Sequence, residues 1–177
     1  SGKIVAEGYH QRFGGPHAEI LALQAAGSRA RNASLVVNLE PCGHQGKTPP
    51  CVDAIIGAGI REVVAATKDP NQLVAGSGFR KLRAHRLRVT VGVLRDEAEE
   101  LNEKFMWSMK TGMPFVGVKV AQTLDGRIAD SFGRSKWITS SPARVYGHRL
   151  RSEYDAVLVG AGTIASDNPE LTVRHVR

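Results

Sequence analysis

The sequence predicts an α/β fold arranged as two successive units. Between residues 35 and 110, short apolar runs typical of buried strands alternate with helical runs. Residues 111–114 interrupt this alternation with a glycine and a proline, and a new strand and helix pattern begins after them. The 177 residues are enough for one ordinary domain or for two small ones.

Proline and glycine positions delimit the helices of the first unit. Pro16 and Gly27 enclose an alanine-rich run, and proline at the start with glycine just past the end is typical of a short helix. Pro50 opens a second helix in the same way, and Asp96 opens the last one. The predicted helices cover residues 16–26, 50–58, 76–85 and 96–110. The predicted strands cover residues 2–9, 35–39, 62–67 and 87–93, which gives a layered domain with a largely buried sheet.

The second unit shows the same alternation over a shorter length. Ser141 and Pro142 begin a helix that we expect to reach residue 152. Strands are predicted at residues 115–121 and 156–159, and loops at residues 124–127, 133–139 and 160–163. Only about 60 residues follow the break, which is few for an independent core. We therefore expect this unit to be incomplete and to contact further chain or a second copy, as in a homo-oligomer.

Composition excludes several classes of protein. The residues are 42% hydrophobic and 23% charged, which excludes a disordered tail, a collagen-like repeat and a disulfide scaffold. No apolar stretch is long enough to span a bilayer and residues 1–5 do not begin a secretory signal, so we expect a cytoplasmic protein without membrane contact. The net charge of +7 suits an anionic partner, either a nucleic acid or a phosphorylated small molecule.

The two cysteines, Cys42 and Cys51, indicate a metal site. A disulfide between them is disfavoured without a secretory signal, and nearby cysteines in a cytosolic protein are typical of metal binding or catalysis. His17 adds an imidazole, and zinc in catalytic sites takes three nitrogen or sulfur ligands and leaves one position for water. Glu19 is then placed to move protons without binding the metal, as in the zinc deaminases.

The positions of these residues next to prolines suggest how they converge. Residues i and i+2 diverge on the surface of a helix, so His17 and Glu19 can address one point only from a helix N-terminus, where Pro16 puts them. Pro50 places Cys51 at a second helix N-terminus, whose positive end favours a thiolate. The sequence therefore predicts two helix N-termini converging on one metal ion.

The cysteine spacing leaves an alternative open. Eight residues separate the two cysteines, whereas the usual deaminase signature is Pro-Cys-x-x-Cys. A closed structural zinc site would need a fourth ligand, for which His10 and His44 are the candidates. His44 lies between the cysteines and could complete a site of two cysteines and two histidines.

Two sets of motifs resemble one family, the bifunctional enzymes of riboflavin biosynthesis. The pyrimidine deaminase of that family is similar to this chain at residues 17–19 and 40–51. The similarity includes the long spacing between the two cysteines. Residues 118–121, 124–129, 137–140, 148–151 and 167–174 are similar to the start of its reductase domain. The family's opening helix and Pro-Asn-Pro loop are not found here, and its reductase continues beyond Arg177.

The resemblance implies a fold, a domain organisation and a reaction. We expect a cytidine-deaminase-like three-layer domain at residues 1–110, without its N-terminal part. The N-terminal portion of a dihydrofolate-reductase-like α/β domain is expected at residues 114–177. The implied reaction is zinc-dependent hydrolytic deamination of 2,5-diamino-6-ribosylamino-4(3H)-pyrimidinone 5′-phosphate, followed by NADPH-dependent reduction of the ribosyl side chain to ribityl.

The resemblance also implies the site residues. Zinc would be held by His17, Cys42 and Cys51, with Glu19 as the catalytic proton carrier. The positions implied for NADPH are Ala121, Trp137, Thr163 and Asp167. The positions implied for the phosphorylated pyrimidine are His44, Lys47, Asp69, Lys119, Ser135, Arg151, Leu171 and Arg174.

Two other functions are compatible with the metal motif alone. A nucleic-acid deaminase shares the zinc chemistry, but it has no use for the motifs after residue 114. Aromatic residues make up only 6% of the chain, which is few for stacking splayed bases, so we expect no nucleic-acid partner. The third function is a non-enzymatic module stabilised by zinc, which ammonia release from the pyrimidine substrate would exclude.

Overall fold

The first unit is built on a three-stranded parallel sheet. In the computed structural model, which describes residues 2–71 and 75–176, the chain divides into the units Ser1–Phe115 and Val116–Arg177. The strands are β1 (Ser34–Leu39), β2 (Glu62–Thr67) and β3 (Arg88–Val91), in the order β1-β2-β3. Val36 pairs with Val64, and Val64 with Thr90. Because the strands are parallel, their carboxyl ends lie at one edge of the sheet.

The helices of the first unit pack around this sheet and around one another. They are α1 (Ala18–Ala26), α2 (Cys51–Gly57), α3 (Ser77–Ala84), α4 (Arg95–Leu101) and α5 (Glu103–Thr111), with a 3₁₀ turn at Gly27–Ala30. α2 contacts both α1 and α3, and α4 contacts β2. Val52, Ile55, Val63 and Leu82 are fully buried in the core cluster between α2, β2 and α3. The predicted α/β class of this unit is therefore confirmed.

The predicted helix at residues 96–110 is divided into two helices. Asn102 lies between α4 and α5 with φ −107° and ψ 19°, outside the helical region. Its side-chain Nδ2 donates to the carbonyl oxygen of Ala98 at 2.7 Å. An asparagine side chain that bonds to the backbone of the preceding turn competes with helix continuation. The helical periodicity of the apolar residues continues across Asn102, so the sequence pattern did not predict that the helix ends there.

Three predicted strands are contradicted by the structure. Residues 2–9, 115–121 and 156–159 are not paired into a sheet within the described residues. The side chains of Val118, in the second of these segments, and of Leu158, in the third, are 83% and 98% exposed. Alternating apolar residues favour an extended backbone, but a strand also needs a neighbour to hydrogen-bond with.

The second unit is described by two helices and connecting segments. α6 (Ser141–Ser152) confirms the helix predicted there, and the hydroxyl oxygen of Ser140 caps it by accepting from the amide of Ala143 at 3.4 Å. α7 (Ala161–Asp167) was not predicted, because its glycine-containing start was interpreted as a loop. In the described part of the chain, no helix has the length and apolar character needed to cross a bilayer.

Candidate metal centre and substrate sites

Three potential metal ligands converge at two helix N-termini. His17 is the residue before α1, Cys51 is the first residue of α2, and Cys42 lies in the loop after β1. Their ligand atoms all lie within 4.8 Å of one another. The Nδ1 atom of His17 is 3.2 Å from the sulfur of Cys51 and 3.6 Å from the sulfur of Cys42. One imidazole and two thiolates form a donor set that zinc prefers.

The ligand cluster has three members, which favours a catalytic site over a closed structural one. Within the described residues, neither His10 nor His44 belongs to the cluster. The side chain of His44 is exposed, so the structure contradicts the alternative of a closed site completed by His44. Tetrahedral zinc held by three side chains keeps its fourth position for water or substrate.

Glu19 lies beside the ligand cluster in the first turn of α1. Its carboxyl is half-buried and interacts with the thiol of Cys51. Burial raises the pKa of Glu19 above its ordinary value, because the charged form loses water. A raised pKa makes a carboxylate a better proton acceptor, which suits Glu19 to accept and return a proton. Both His17 and Glu19 therefore lie at the helix N-terminus that Pro16 predicts.

The two sulfur atoms differ in their surroundings. The backbone amide of Cys51 donates to the sulfur of Cys42 at 3.2 Å, and the amide of Val52 donates to the carbonyl oxygen of Cys42. The hydrogen bond from the Cys51 thiol lowers the pKa of Cys42 to about 5. The same hydrogen bond raises the pKa of Cys51. The N-terminus of α2 thus stabilises the thiolate of Cys42, whereas the sequence predicted that it would act on Cys51.

Two further residues lie beside the imidazole of His17: Thr48, which sequence reasoning missed, and His10, which it named only as a candidate fourth ligand. The hydroxyl of Thr48 is 3.4 Å from the Nε2 atom of His17, on the side of the ring away from the sulfurs. The ring of His10 meets the ring of His17 edge-on at 5.7 Å, and its Nδ1 is 3.0 Å from the carbonyl oxygen of Pro16. No spacing rule identifies such partners, since each belongs to a loop whose path only the fold defines.

The substrate residues predicted in the first unit lie in loops. Lys47 is exposed in the segment between the two cysteines, and its ammonium lies 3.8 Å from the ring centre of Phe13. Asp69 follows β2 and accepts a hydrogen bond from the amide of Asn71 at 2.8 Å. The amide of Asp69 donates to the carboxylate of Glu40, so its main chain is fixed to the segment that precedes Cys42.

In the second unit, two groups of predicted residues come together. Ser135 and Trp137 line a shallow cavity of about 340 Å³, and the guanidinium of Arg144 lies 4.4 Å from the Trp137 ring centre. Arg151 donates to the carbonyl oxygens of Glu170 and Thr172, the latter at 2.7 Å.

 Arg174 pairs with the carboxylate of Glu170 and donates to the hydroxyl of Thr172 at 3.2 Å. Arg151, Arg174 and the half-buried Leu171 therefore surround one short segment of chain.

The other predicted residues of the second unit lie on separate segments. Lys119 and Ala121 lie in the extended stretch that was predicted as a strand. Thr163 lies near the start of α7, and Asp167 is its last residue, accepting a hydrogen bond from the hydroxyl of Ser166 at 3.0 Å. Lys119, Thr163 and Asp167 are exposed and Ala121 is half-buried. The assignment of these four residues to substrate or cofactor remains a prediction.

Comparison with known proteins agrees with this geometry. Residues 1–67 match the cytidine and deoxycytidylate deaminase zinc-binding region, and residues 114–177 match the RibD C-terminal domain. The riboflavin biosynthesis protein RibD of Aquifex aeolicus is 54% identical over 175 residues, which is 99% of this chain and 49% of that protein. The chain belongs to the RibD family. RibD of Escherichia coli is 49% identical over 173 residues, covering 98% of this chain and 47% of that protein.

Solved RibD structures resemble the chain closely. A form of Acinetobacter baumannii RibD matches with a TM-score of 0.91 and 44% identity, over 97% of this chain and 48% of that one. The deaminase/reductase of Thermotoga maritima matches with a TM-score of 0.90 and 51% identity, over 96% of this chain and 49% of that one. The predicted fold class, a cytidine-deaminase-like domain followed by the start of a dihydrofolate-reductase-like α/β domain, is confirmed. The chain spans about half the length of the RibD relatives it matches.

Proposed function

We propose that the first unit is a zinc-dependent pyrimidine deaminase and that its domain corresponds to residues 1–110. The observation that carries this proposal is the cluster of three ligand residues, His17, Cys42 and Cys51, with the half-buried carboxyl of Glu19 beside it. A structural zinc site would need a fourth protein ligand, and the described residues of this cluster supply three. The substrate is 2,5-diamino-6-ribosylamino-4(3H)-pyrimidinone 5′-phosphate, as the RibD relationship supports.

In this reaction the amino group of the pyrimidine ring is exchanged for the oxygen of water. His17, Cys42 and Cys51 would hold the zinc ion, which would supply a nucleophile near neutral pH by making water more acidic. Glu19 takes one proton from the water and delivers it to a ring nitrogen. The same carboxyl then transfers the second proton of the water to the departing amine, which leaves as ammonia. Glu19 ends the cycle in the protonation state in which it began.

Substrate binding in the first unit is assigned to loop residues. His44 and Lys47 lie between the two cysteines, and Asp69 follows β2. A lysine ammonium attracts an anionic phosphate, and the net charge of +7 supports an anionic small molecule as partner. We infer a cytoplasmic enzyme that needs neither nucleic acid nor a membrane surface for this reaction.

We propose that the second unit, residues 114–177, contributes to reduction of the ribosyl side chain to ribityl. NADPH would donate a hydride to the sugar carbon, and a proton from solvent or a side chain would complete the reduction. Ala121, Trp137, Thr163 and Asp167 are assigned to NADPH. The residues assigned to the phosphorylated substrate are Lys119, Ser135, Arg151, Leu171 and Arg174. The grouping of Arg151 with Arg174 supports this assignment, since arginine binds phosphate oxygens in pairs.

The deaminase proposal is tested by ammonia release from the diaminopyrimidinone phosphate. We expect ammonia with the zinc-loaded protein and none from single-stranded RNA. Glu19→Gln should keep its zinc and lose turnover by about 10²- to 10⁴-fold, because only proton transfer is removed. Ammonia from RNA but not from the pyrimidine would replace the proposal with a nucleic-acid deaminase. Zinc binding with no ammonia from either substrate would favour a non-enzymatic module.

The reductase proposal is tested separately by oxidation of NADPH in the presence of the deaminated product. Lys119→Ala should lower the rate, because we place Lys119 near the reacting carbon. The matched control is Lys110→Ala, which removes an exposed lysine in the last turn of α5. Equal rates in the two variants would contradict the role of Lys119.

A further inference from the structure

Glu40 is a buried carboxylate that the proposed reaction does not use. Its residue is 5% exposed, and it lies between β1 and the metal-ligand candidate Cys42. Buried carboxylates are stable only when hydrogen bonds replace the lost water.

The Glu40 carboxylate accepts three backbone amides from one stretch of chain. Its Oε2 atom accepts from the amide of Gly76 at 2.8 Å and from the amide of Asp69 at 3.3 Å. Its Oε1 atom accepts from the amide of Phe79 at 3.2 Å. Gly76 and Phe79 belong to the N-terminal end of α3, where backbone amides have no partner within the helix. Glu40 therefore caps α3 and holds the main chain at Asp69 with the same side chain.

The backbone next to Glu40 also contacts α3 closely. Gly78 lies in the first turn of α3, and a Cβ atom at this position would overlap the carbonyl oxygen of Pro41. A Cβ atom on Gly43 would lie 3.2 Å from the Cα atom of Gly78, which is tighter than ordinary packing. Two glycines thus allow the main chain on either side of Cys42 to touch α3 directly. This close packing joins the Cys42 loop to α3 in addition to the hydrogen bonds of Glu40.

We propose that Glu40 is a positioning residue of the metal centre. Its carboxylate binds backbone amides at the N-terminus of α3, and Cys42 follows it by two residues along the chain. It thereby fixes the loop that presents the Cys42 sulfur and, through the amide of Asp69, the loop assigned to substrate binding. Its part in deamination rests on the proposed function, whereas its effect on the Cys42 loop does not.

The test compares Glu40 variants with a matched variant that also loses a contact to α3. Glu40→Gln keeps the size of the side chain but replaces one acceptor oxygen by a donor, and Glu40→Ala removes both oxygens. The control is Asp53→Ala, which removes an exposed ion pair of 2.6 Å between Asp53 and Lys81 of α3. Three quantities are measured in the intact protein: the zinc dissociation constant by chelator competition, hydrogen exchange of the Gly76 and Phe79 amides, and alkylation of Cys42 without metal.

We expect both Glu40 variants to bind zinc about 10- to 100-fold more weakly than the wild type, the range typical of residues that orient metal ligands. Exchange at Gly76 and Phe79 and alkylation of Cys42 should both become faster. Asp53→Ala should leave all three quantities near their wild-type values. If Glu40→Ala does not fold, Glu40→Gln decides alone.

Zinc affinity and Cys42 alkylation that match those of Asp53→Ala would overturn the proposal, even if exchange in α3 became faster. Failure of the proposed function would be recognised differently, as a wild-type protein that releases no ammonia. If the wild type binds no zinc, the alkylation rate of Cys42 in the metal-free protein still supports or overturns the positioning role.

Discussion

The backbone amide of Cys51 donates to the sulfur of Cys42, so one candidate ligand stabilises the thiolate of the other. The pKa of Cys42 is lowered to about 5, and Cys42 is half-buried, whereas Cys51 is fully buried. In chelator-treated protein, iodoacetamide should therefore modify Cys42 well before Cys51. Peptide mass spectrometry after short exposure at neutral pH measures the order. Equal modification of the two cysteines would contradict this asymmetry.

Thr48 is expected to orient the imidazole of His17. Its hydroxyl faces the ring nitrogen that points away from the sulfurs, and such partners fix the orientation of a ligating histidine. Thr48→Val should weaken zinc binding by about 10-fold, the lower end of the usual range. Thr48→Ser keeps the hydroxyl and serves as the control. Chelator competition that gives the same affinity for both variants would show that the hydroxyl has no such role.

Gly78 and Gly57 should respond oppositely to replacement by alanine. A Cβ atom on Gly78 would overlap the carbonyl oxygen of Pro41, so Gly78→Ala should destabilise the first unit and disturb the Cys42 loop. Gly57 lies at the end of α2 with open space around its Cβ position. Gly57→Ala should therefore raise the free energy of unfolding by about 0.5–1 kcal/mol. Urea unfolding of both variants measures the difference, and stabilisation in both would contradict the close contact.

Ile55 should be one of the most sensitive core positions. It is 0% exposed and belongs to the core cluster of the first unit. Ile55→Ala should lower the free energy of unfolding by about 2–5 kcal/mol, because it leaves a cavity as well as losing apolar burial. Val36→Ala is the control, since Val36 is 73% exposed on β1 and its loss should cost less than about 1 kcal/mol. Denaturant midpoints that shift equally would contradict this placement of the core.

Removal of zinc should lower the thermal stability of the first unit. A ligand that binds only the folded state stabilises it by about 4 kcal/mol at a thousand times its dissociation constant. A chelator should therefore lower the Tm of the wild type. Cys51→Ser should start from a lower Tm and show little further change with chelator. A chelator-dependent shift of the same size in this variant would show that the stabilising metal is bound elsewhere.

The ligand cluster could be predicted from the sequence because each residue is marked locally. Pro16 and Pro50 mark the helix N-termini that carry His17 and Cys51, and a proline also precedes Cys42. The parallel strands of the first unit were predictable for a similar reason, since each is a short apolar run between turn residues. These helix starts and strands depend on a few neighbouring residues, and the folded structure keeps them where the sequence predicts them.

The features that were missed depend on tertiary contacts. The bonds of Glu40 to Gly76 and Phe79 join residues 36 and 39 positions apart, and no local pattern encodes them. The strands predicted at residues 115–121 and 156–159 have the right periodicity, but the described residues provide no paired neighbour. The start of α7 was misinterpreted because glycine is typical of loops, and Gly160 here precedes the helix as its N-cap.

The separation of the ligands along the chain has a consequence for biosynthesis. His17 and Cys51 are 34 positions apart, and they meet only when α1 and α2 pack together. An unfolded chain offers two thiols close in sequence and a histidine far from them, so it holds zinc poorly. During translation the site can form only after α2 has left the ribosome. Metal capture therefore reports that α1 and α2 have packed together.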